Sequence, residues 1–338
     1  FKENAYQSRR LATINKNAPL NLDIDDSEFW DFEEKEVIEN LTELELISLI
    51  KRIPSKEEKQ ESILPKINGE YRCANNDSMV NLLEKLILNK GFFSFDTETT
   101  SLNPFEAELV GISISTDKET GWYIPVNHSQ GENISTSNLE KIKILFEDPS
   151  VEKYAHNANY DLSVLVNNNF EVNNLNFDTL IAANLLGKRT LGLKNLSLET
   201  LGLEMMPIED LIGKGREQIS FKDVDIEKAI NYACADSDAT LRLKEIFDNE
   251  LRTKGLLEVM NKIEVPLIPV IVDMQKTGVS INPQILNDFS SELKKEIIDL
   301  ETEAKKIINN DEINLRSSQQ LSDLSLIHIS EPTRLDGI

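Results

Sequence analysis

Residues 92–99 constrain the fold of this chain more than any other stretch. Phe92-Phe93-Ser94-Phe95 is a short apolar run that ends on Asp96-Thr97-Glu98-Thr99. Such a run reads as a strand buried on both sides, as in a sheet covered by helices. Residues two apart on a strand share a face, so Asp96 and Glu98 project together. They stand at the strand's carboxyl end, where α/β sheets place ligands. Two carboxylates side by side repel each other unless a cation lies between them. A bare Asp-x-Glu is, by itself, more often an acidic turn, so the pair needs company before it carries a function.

The surrounding sequence supplies an α/β frame. Leu109–Ser115 alternates apolar and small residues, Trp122–Val126 follows, and a turn holding Asp117 and Gly121 predicts a hairpin between them. Val151–Ala155 predicts a short strand. Helical spacing runs through Leu139–Phe146, with Ser135, Thr136 or Ser137 available as N-cap, and through Ala158–Val166, Asp178–Leu186 and the long Ile226–Leu251. Three strands in succession followed by alternation predict a mixed sheet with helices on its faces. Beyond Gly255 the chain reads as helical: Leu256–Lys276, a turn over Gly278–Pro283, and a long amphipathic helix from Gln284 to about Asn309.

Composition narrows the function classes. The 338 residues are enough for about two domains. With 59 Asp and Glu against 36 Lys and Arg, the net charge is −23. That argues against coating nucleic acid by bulk charge and leaves room for carboxylates that hold cations that in turn hold phosphates. Eleven of the acids lie between Asp23 and Glu45, with a single Lys among them, which reads as a solvated segment. Residues 51–65, polar and with two prolines, read as a linker. Cys73 and Cys234 are far apart and form no Cys-x-x-Cys, which fits a reducing compartment. There is no apolar run of about 18 residues, the length a membrane span needs. The chain opens on Phe1 without a signal peptide and reads as having lost its natural start.

Two further acidic segments complete a constellation. His156-Asn157-Ala158-Asn159-Tyr160-Asp161 ends a strand and opens a helix, where a charge in the first turn is favoured by the dipole. In Tyr232-Ala233-Cys234-Ala235-Asp236, Tyr232 and Asp236 are four apart and share a helix face. Each segment alone is ordinary. Together, Phe95–Thr99, Asn157–Asp161 and Tyr232–Asp236 resemble the three exonuclease motifs of the 3′–5′ proofreading domain of family A bacterial DNA polymerases, FDTET, NxxxD and YxxxD. Glu264–Val270, Gly278–Pro283 and Asn314–Leu321 resemble the start of that family's polymerase domain, and Tyr6–Thr13 the end of its 5′-nuclease domain.

The resemblance implies a ribonuclease H-like α/β exonuclease domain over 66–252, after a 5′-nuclease remnant (1–50) and a linker (51–65). A partial thumb follows over 253–324. Residues 325–338 match no part of the family and resemble a translated sequencing adapter. The segments that carry nucleotide addition in that family have no counterpart here. The implied cofactors are two divalent cations, Mg²⁺ or Mn²⁺, about 4 Å apart. Asp96, Glu98 and Asp236 would hold one, with Asp96 shared by a second that Asp161 helps to hold, and Tyr232 with Glu98 would orient the attacking water. Leu102, Asn157 and Ile208 would contact the substrate, a single-stranded or frayed DNA 3′ end, in a cytoplasmic, nucleoid-associated protein with no membrane partner and no obligate protein partner. Asp178, Asp238, His128, His156 and Cys234 are expected to be structural. Alternative readings are an exoribonuclease of the ribonuclease D kind and a catalytically silent spacer module.

Overall fold

The apolar run at residues 92–95 does form the centre of a sheet. In the computed structural model β2 (Phe92–Thr99) lies between β3 (Leu109–Ser115), to which it is antiparallel, and β5 (Glu152–Ala155), to which it is parallel. β4 (Thr120–Pro125) extends the antiparallel side, and β1 (Glu70–Cys73) pairs with it in parallel. β6 (Leu175–Asp178) closes the other edge, giving the order β1-β4-β3-β2-β5-β6. This is the mixed sheet with flanking helices that the resemblance implies. The structure describes residues 2–13, a few single positions between 36 and 49, and 65–329. Most of the expected nuclease remnant, the linker apart from Pro65, and residues 330–338 of the adapter-like tail lie outside the described residues.

The chain divides into two units, Phe1–Lys276 and Thr277–Ile338. In the first, the helices are α1 (Lys2–Ala12), α2 (Asp77–Lys90), α3 (Thr136–Glu147), α4 (Ala158–Asn167), α5 (Thr179–Leu185), α6 (Ile226–Thr253) and α7 (Val265–Thr277), besides shorter turns. The second contains α8 (Pro283–Ile308) and α9 (Ser318–Ile329). Caps fix the ends. Asn76 and Ser135 accept the Met79 and Asn138 N–H groups at the starts of α2 and α3. Gly91, at φ 75°, ends α2. In α8, Asn282 accepts from Gln284 and Ile285, and Asn309 ends the helix in the left-handed region.

Strand alternation sorts the two faces of β2. Phe93 and Phe95 turn to one face and meet Phe146 of α3 edge-on, with ring centroids 5.0 and 5.1 Å apart; Phe146 meets Phe170 at 5.7 Å. Ser94 turns to the other face, is fully buried, and donates its hydroxyl to the Ser237 carbonyl at 2.7 Å. So small a residue lets α6 lie close across β2, β3 and β4. The β3–β4 turn differs from the expectation. Glu119, at φ 62°, takes the left-handed position, while Gly121 is a strand residue. Its lack of a side chain serves helix packing, because a Cβ there would stand 2.6 Å from that of Cys234. After α6, Met260, Val265, Ile268 and Val272 join the cores of the first unit. Among the described residues no helix is long and apolar enough to cross a membrane.

Candidate active site

The face of β2 that carries Ser94 also carries Asp96 and Glu98, two and four residues on. The same closeness that joins Ser94 to Ser237 brings Asp236 of α6 over the strand end. One carboxylate oxygen from each of Asp96, Glu98 and Asp236 lies within 4.8 Å of the others. Asp161 reaches the strand end from the opposite face. Its Oδ1 accepts the Thr97 N–H at 3.0 Å and the Thr97 hydroxyl at 2.6 Å. This tether keeps Asp161 outside the tight group of three, yet its charge acts on Asp96 more strongly than that of any other acid. The expected convergence therefore consists of three close carboxylates with the fourth beside Asp96.

Asp161 is placed by a second carboxylate. Buried Asp178 accepts the N–H groups of Asn157 and Ala158 as well as those of Leu180 and Ile181, so it holds the starts of α4 and α5 together. Asn157 takes a left-handed φ of 65° at the junction, a conformation Asn tolerates better than most residues.

Burial dominates the electrostatics. Burial, aided by mutual repulsion, pushes Asp96 and Glu98 well above the usual carboxylate range. Burial also pushes Asp161 and Asp236 up to about 7. Lys194 opposes this at Asp96, Glu98 and Asp236. Glu98 Oε1 is buried with no hydrogen-bond partner among the described residues. A buried carboxylate oxygen without a donor, beside two more carboxylates, fits a cation ligand better than a structural polar group. The all-oxygen donor set suits a hard divalent ion such as Mg²⁺ or Mn²⁺.

Tyr232 is buried against Phe221, with ring centroids 6.1 Å apart, and its hydroxyl accepts the Lys194 ammonium at 3.1 Å. Leu102 is 95% exposed on the loop between β2 and β3. The Tyr160 hydroxyl anchors the base of that loop, donating to the Ser101 carbonyl at 2.6 Å and lying 2.5 Å from the Thr99 hydroxyl. Ile208 is partly buried against the cluster that contains Phe221 and Tyr232. Lys194, Thr97 and Tyr160 escaped the sequence reading. Thr97 and Tyr160 sit inside the motifs, but nothing in the sequence says that Lys194 faces Tyr232. The residues expected to be structural all have structural partners. His128 bridges the Tyr123 hydroxyl and the Val224 carbonyl. His156 pairs with the Thr179 hydroxyl, and burial lowers its pKa to about 4. Asp238 pairs with Arg242 and Tyr71, and Cys234 is fully buried.

A family model described as 3′–5′ exonuclease matches residues 71–252. The chain is 33% identical to DNA polymerase I of Chloroflexus aurantiacus over 99% of its own length and 39% of that protein. It is 29% identical to DNA polymerase I of Pseudomonas aeruginosa over 95% of its length and 36% of that protein. It thus spans about two fifths of these relatives. The polymerase domain of Pol1 from M. smegmatis, solved with DNA primer-template and dNTP, shares the fold at a TM-score of 0.60 and 20% identity, covering 75% of this chain and 40% of that one. On the match to residues 71–252, the chain belongs to the 3′–5′ exonuclease family of A-type DNA polymerases.

Proposed function

We propose that this chain hydrolyses the 3′-terminal phosphodiester of a DNA strand, releases mononucleotides, and forms the proofreading part of a DNA polymerase I acting in replication and repair in the bacterial cytoplasm. The observation that carries the reading is the trio Asp96, Glu98 and Asp236, drawn from distant parts of the chain, with a buried and unpartnered Glu98 oxygen among them. Asp96, Glu98 and Asp236 would hold one divalent cation, Mg²⁺ or Mn²⁺, and Asp96 with Asp161 a second. Bound there, the ions supply positive charge to the phosphate and the leaving oxygen and make water acidic enough to attack at neutral pH. They also account for DNA binding by a chain of net charge −23.

The chain's own groups do the rest. Tyr232 and Glu98 orient the attacking water in line with the bond to be broken. Exposed Leu102 lies against the terminal base, Asn157 contacts the strand, and Ile208 adds an apolar contact. A paired end must unstack to enter, at a cost of a few kcal/mol, so single-stranded or frayed ends are the preferred substrates. Residues 66–252 form the exonuclease domain, and 253–324 begin the polymerase domain. The test is digestion of labelled DNA and RNA oligonucleotides with Mg²⁺ or Mn²⁺ by the chain and its Asp96→Ala variant. Stepwise shortening of DNA from the 3′ end, lost in the variant, is expected. Equal digestion by both proteins, or digestion of RNA alone, overturns the proposal.

A further inference from the structure

The helical turn Leu193–Leu196 carries Lys194 to the edge of the acidic cluster. Its Nζ donates to the Tyr232 hydroxyl at 3.1 Å and stands 4.6 Å from the centre of the Tyr232 ring. Both contacts fasten the same phenol, and Lys194 makes no ion pair among the described residues. We infer that Lys194 is a positioning residue for the hydrolysis proposed above: it holds the Tyr232 hydroxyl so that the phenol proton is directed at the attacking water.

The reasoning is one of hydrogen-bond capacity. An ammonium can only donate, so in this contact the phenol oxygen accepts. The phenol's own hydrogen must then go to another acceptor. Burial and the charges of Asp236, Glu98 and Asp96 keep Tyr232 protonated by raising its pKa, so that hydrogen is present throughout the neutral range. The carboxylates whose charges act on it most, Asp236, Glu98 and Asp96, are those of the cluster, where the attacking water would stand. Without the ammonium, the hydroxyl could rotate freely and spend part of its time donating elsewhere. A lysine clamp of this sort fixes orientation without entering the reaction.

The inference rests on the proposed hydrolysis, and two readouts separate the failure of one from the failure of the other. The first is a double-mutant cycle on single-stranded DNA with saturating Mg²⁺. Lys194→Met is expected to lower kcat by about 10-fold, the size of one hydrogen bond with a charged donor, with KM nearly unchanged. Lys194→Arg should recover most of that loss, and Lys194→Met should cost little further in a Tyr232→Phe background. An equal loss in both backgrounds, a rise in KM alone, or no loss at all overturns the inference. The second readout needs no activity. In metal-free protein labelled at the tyrosine Cζ carbons, the Tyr232 resonance, assigned by its absence in Tyr232→Phe, should move in Lys194→Met and return in Lys194→Arg. A resonance that stays fixed in Lys194→Met overturns the inference even in a chain that proves unable to cleave DNA.

Discussion

Asp161→Asn in the metal-free chain isolates the electrostatic cost of the candidate site. Asp161 is 3% exposed, and burial pushes its carboxyl up to about 7, against about 3.9 for an aspartate in water. Between those values the folded chain keeps a proton that the unfolded chain has lost. Stability therefore falls as pH rises through that window, and the loss is complete above about pH 7. A gap of about three pH units corresponds to roughly 4 kcal/mol. Asparagine removes the charge but keeps an Oδ1 that can accept both Thr97 donors. In urea denaturation of the intact chain with EDTA, variant and parent should be equally stable near pH 4. The variant should gain steadily to an advantage of up to about 4 kcal/mol at pH 8. Saturating Mg²⁺ should shrink the advantage by stabilising the parent more. A difference that does not change with pH, or a variant less stable at pH 8 than its parent, would refute the argument.

Asp96→Ala should abolish exonuclease activity, since Asp96 is the carboxylate shared by both proposed ions; retention of more than about a hundredth of the parent rate in a single-turnover assay would count against the scheme. Tyr232→Phe should lose less, about 10- to 100-fold in kcat, because it removes an orienting hydroxyl and leaves the carboxylates in place. Gly121→Val should destabilise the fold by about 1–3 kcal/mol in urea denaturation, because its Cβ alone would meet that of Cys234 at 2.6 Å. Phe146→Ala should cost about 3–5 kcal/mol by opening the centre of the aromatic cluster formed with Phe93, Phe95 and Phe170.

The parts of this fold that were legible in the sequence are those whose signal is local. Phe92–Phe95 announces a buried strand by composition, and the period of Ile226–Leu251 announces α6. Several elements carry no expectation from the sequence, α2 and the two strands at the sheet edges among them. β1 reads Glu70-Tyr71-Arg72-Cys73, mixed in polarity, because only part of an edge strand is buried. β6 reads Leu175-Asn176-Phe177-Asp178 and ends where the expected helix from Asp178 begins, so the sequence assigns its last residue to the helix. Gly121 was misplaced for a related reason. A glycine four residues after an aspartate looks like part of a turn, but here it pairs with Tyr71 in the sheet, and its missing side chain makes room for Cys234 of α6. Within the site, the carboxylates and Tyr232 were legible because their spacing is carried by motifs. The Lys194–Tyr232 contact and the tether from Thr97 to Asp161 depend on how distant segments pack, and no spacing along the chain encodes them.

The opposed demands on β2 explain why its two faces are built so differently. Three close carboxylates at its end repel one another, and burial deepens the cost. The strand must therefore be held from elsewhere. On one face that hold is the edge-on packing of Phe93 and Phe95 on Phe146. On the other it is the Ser94 hydroxyl on the Ser237 carbonyl, one residue from Asp236. A larger residue at position 94 would lift α6 and relax the repulsion, but it would also pull Asp236 away from Asp96 and Glu98. Ser94 thus sets the separation of the carboxylates. A bound cation would relieve part of this repulsion, so cation affinity and the stability deficit of the cation-free chain should change together in any variant that alters this spacing.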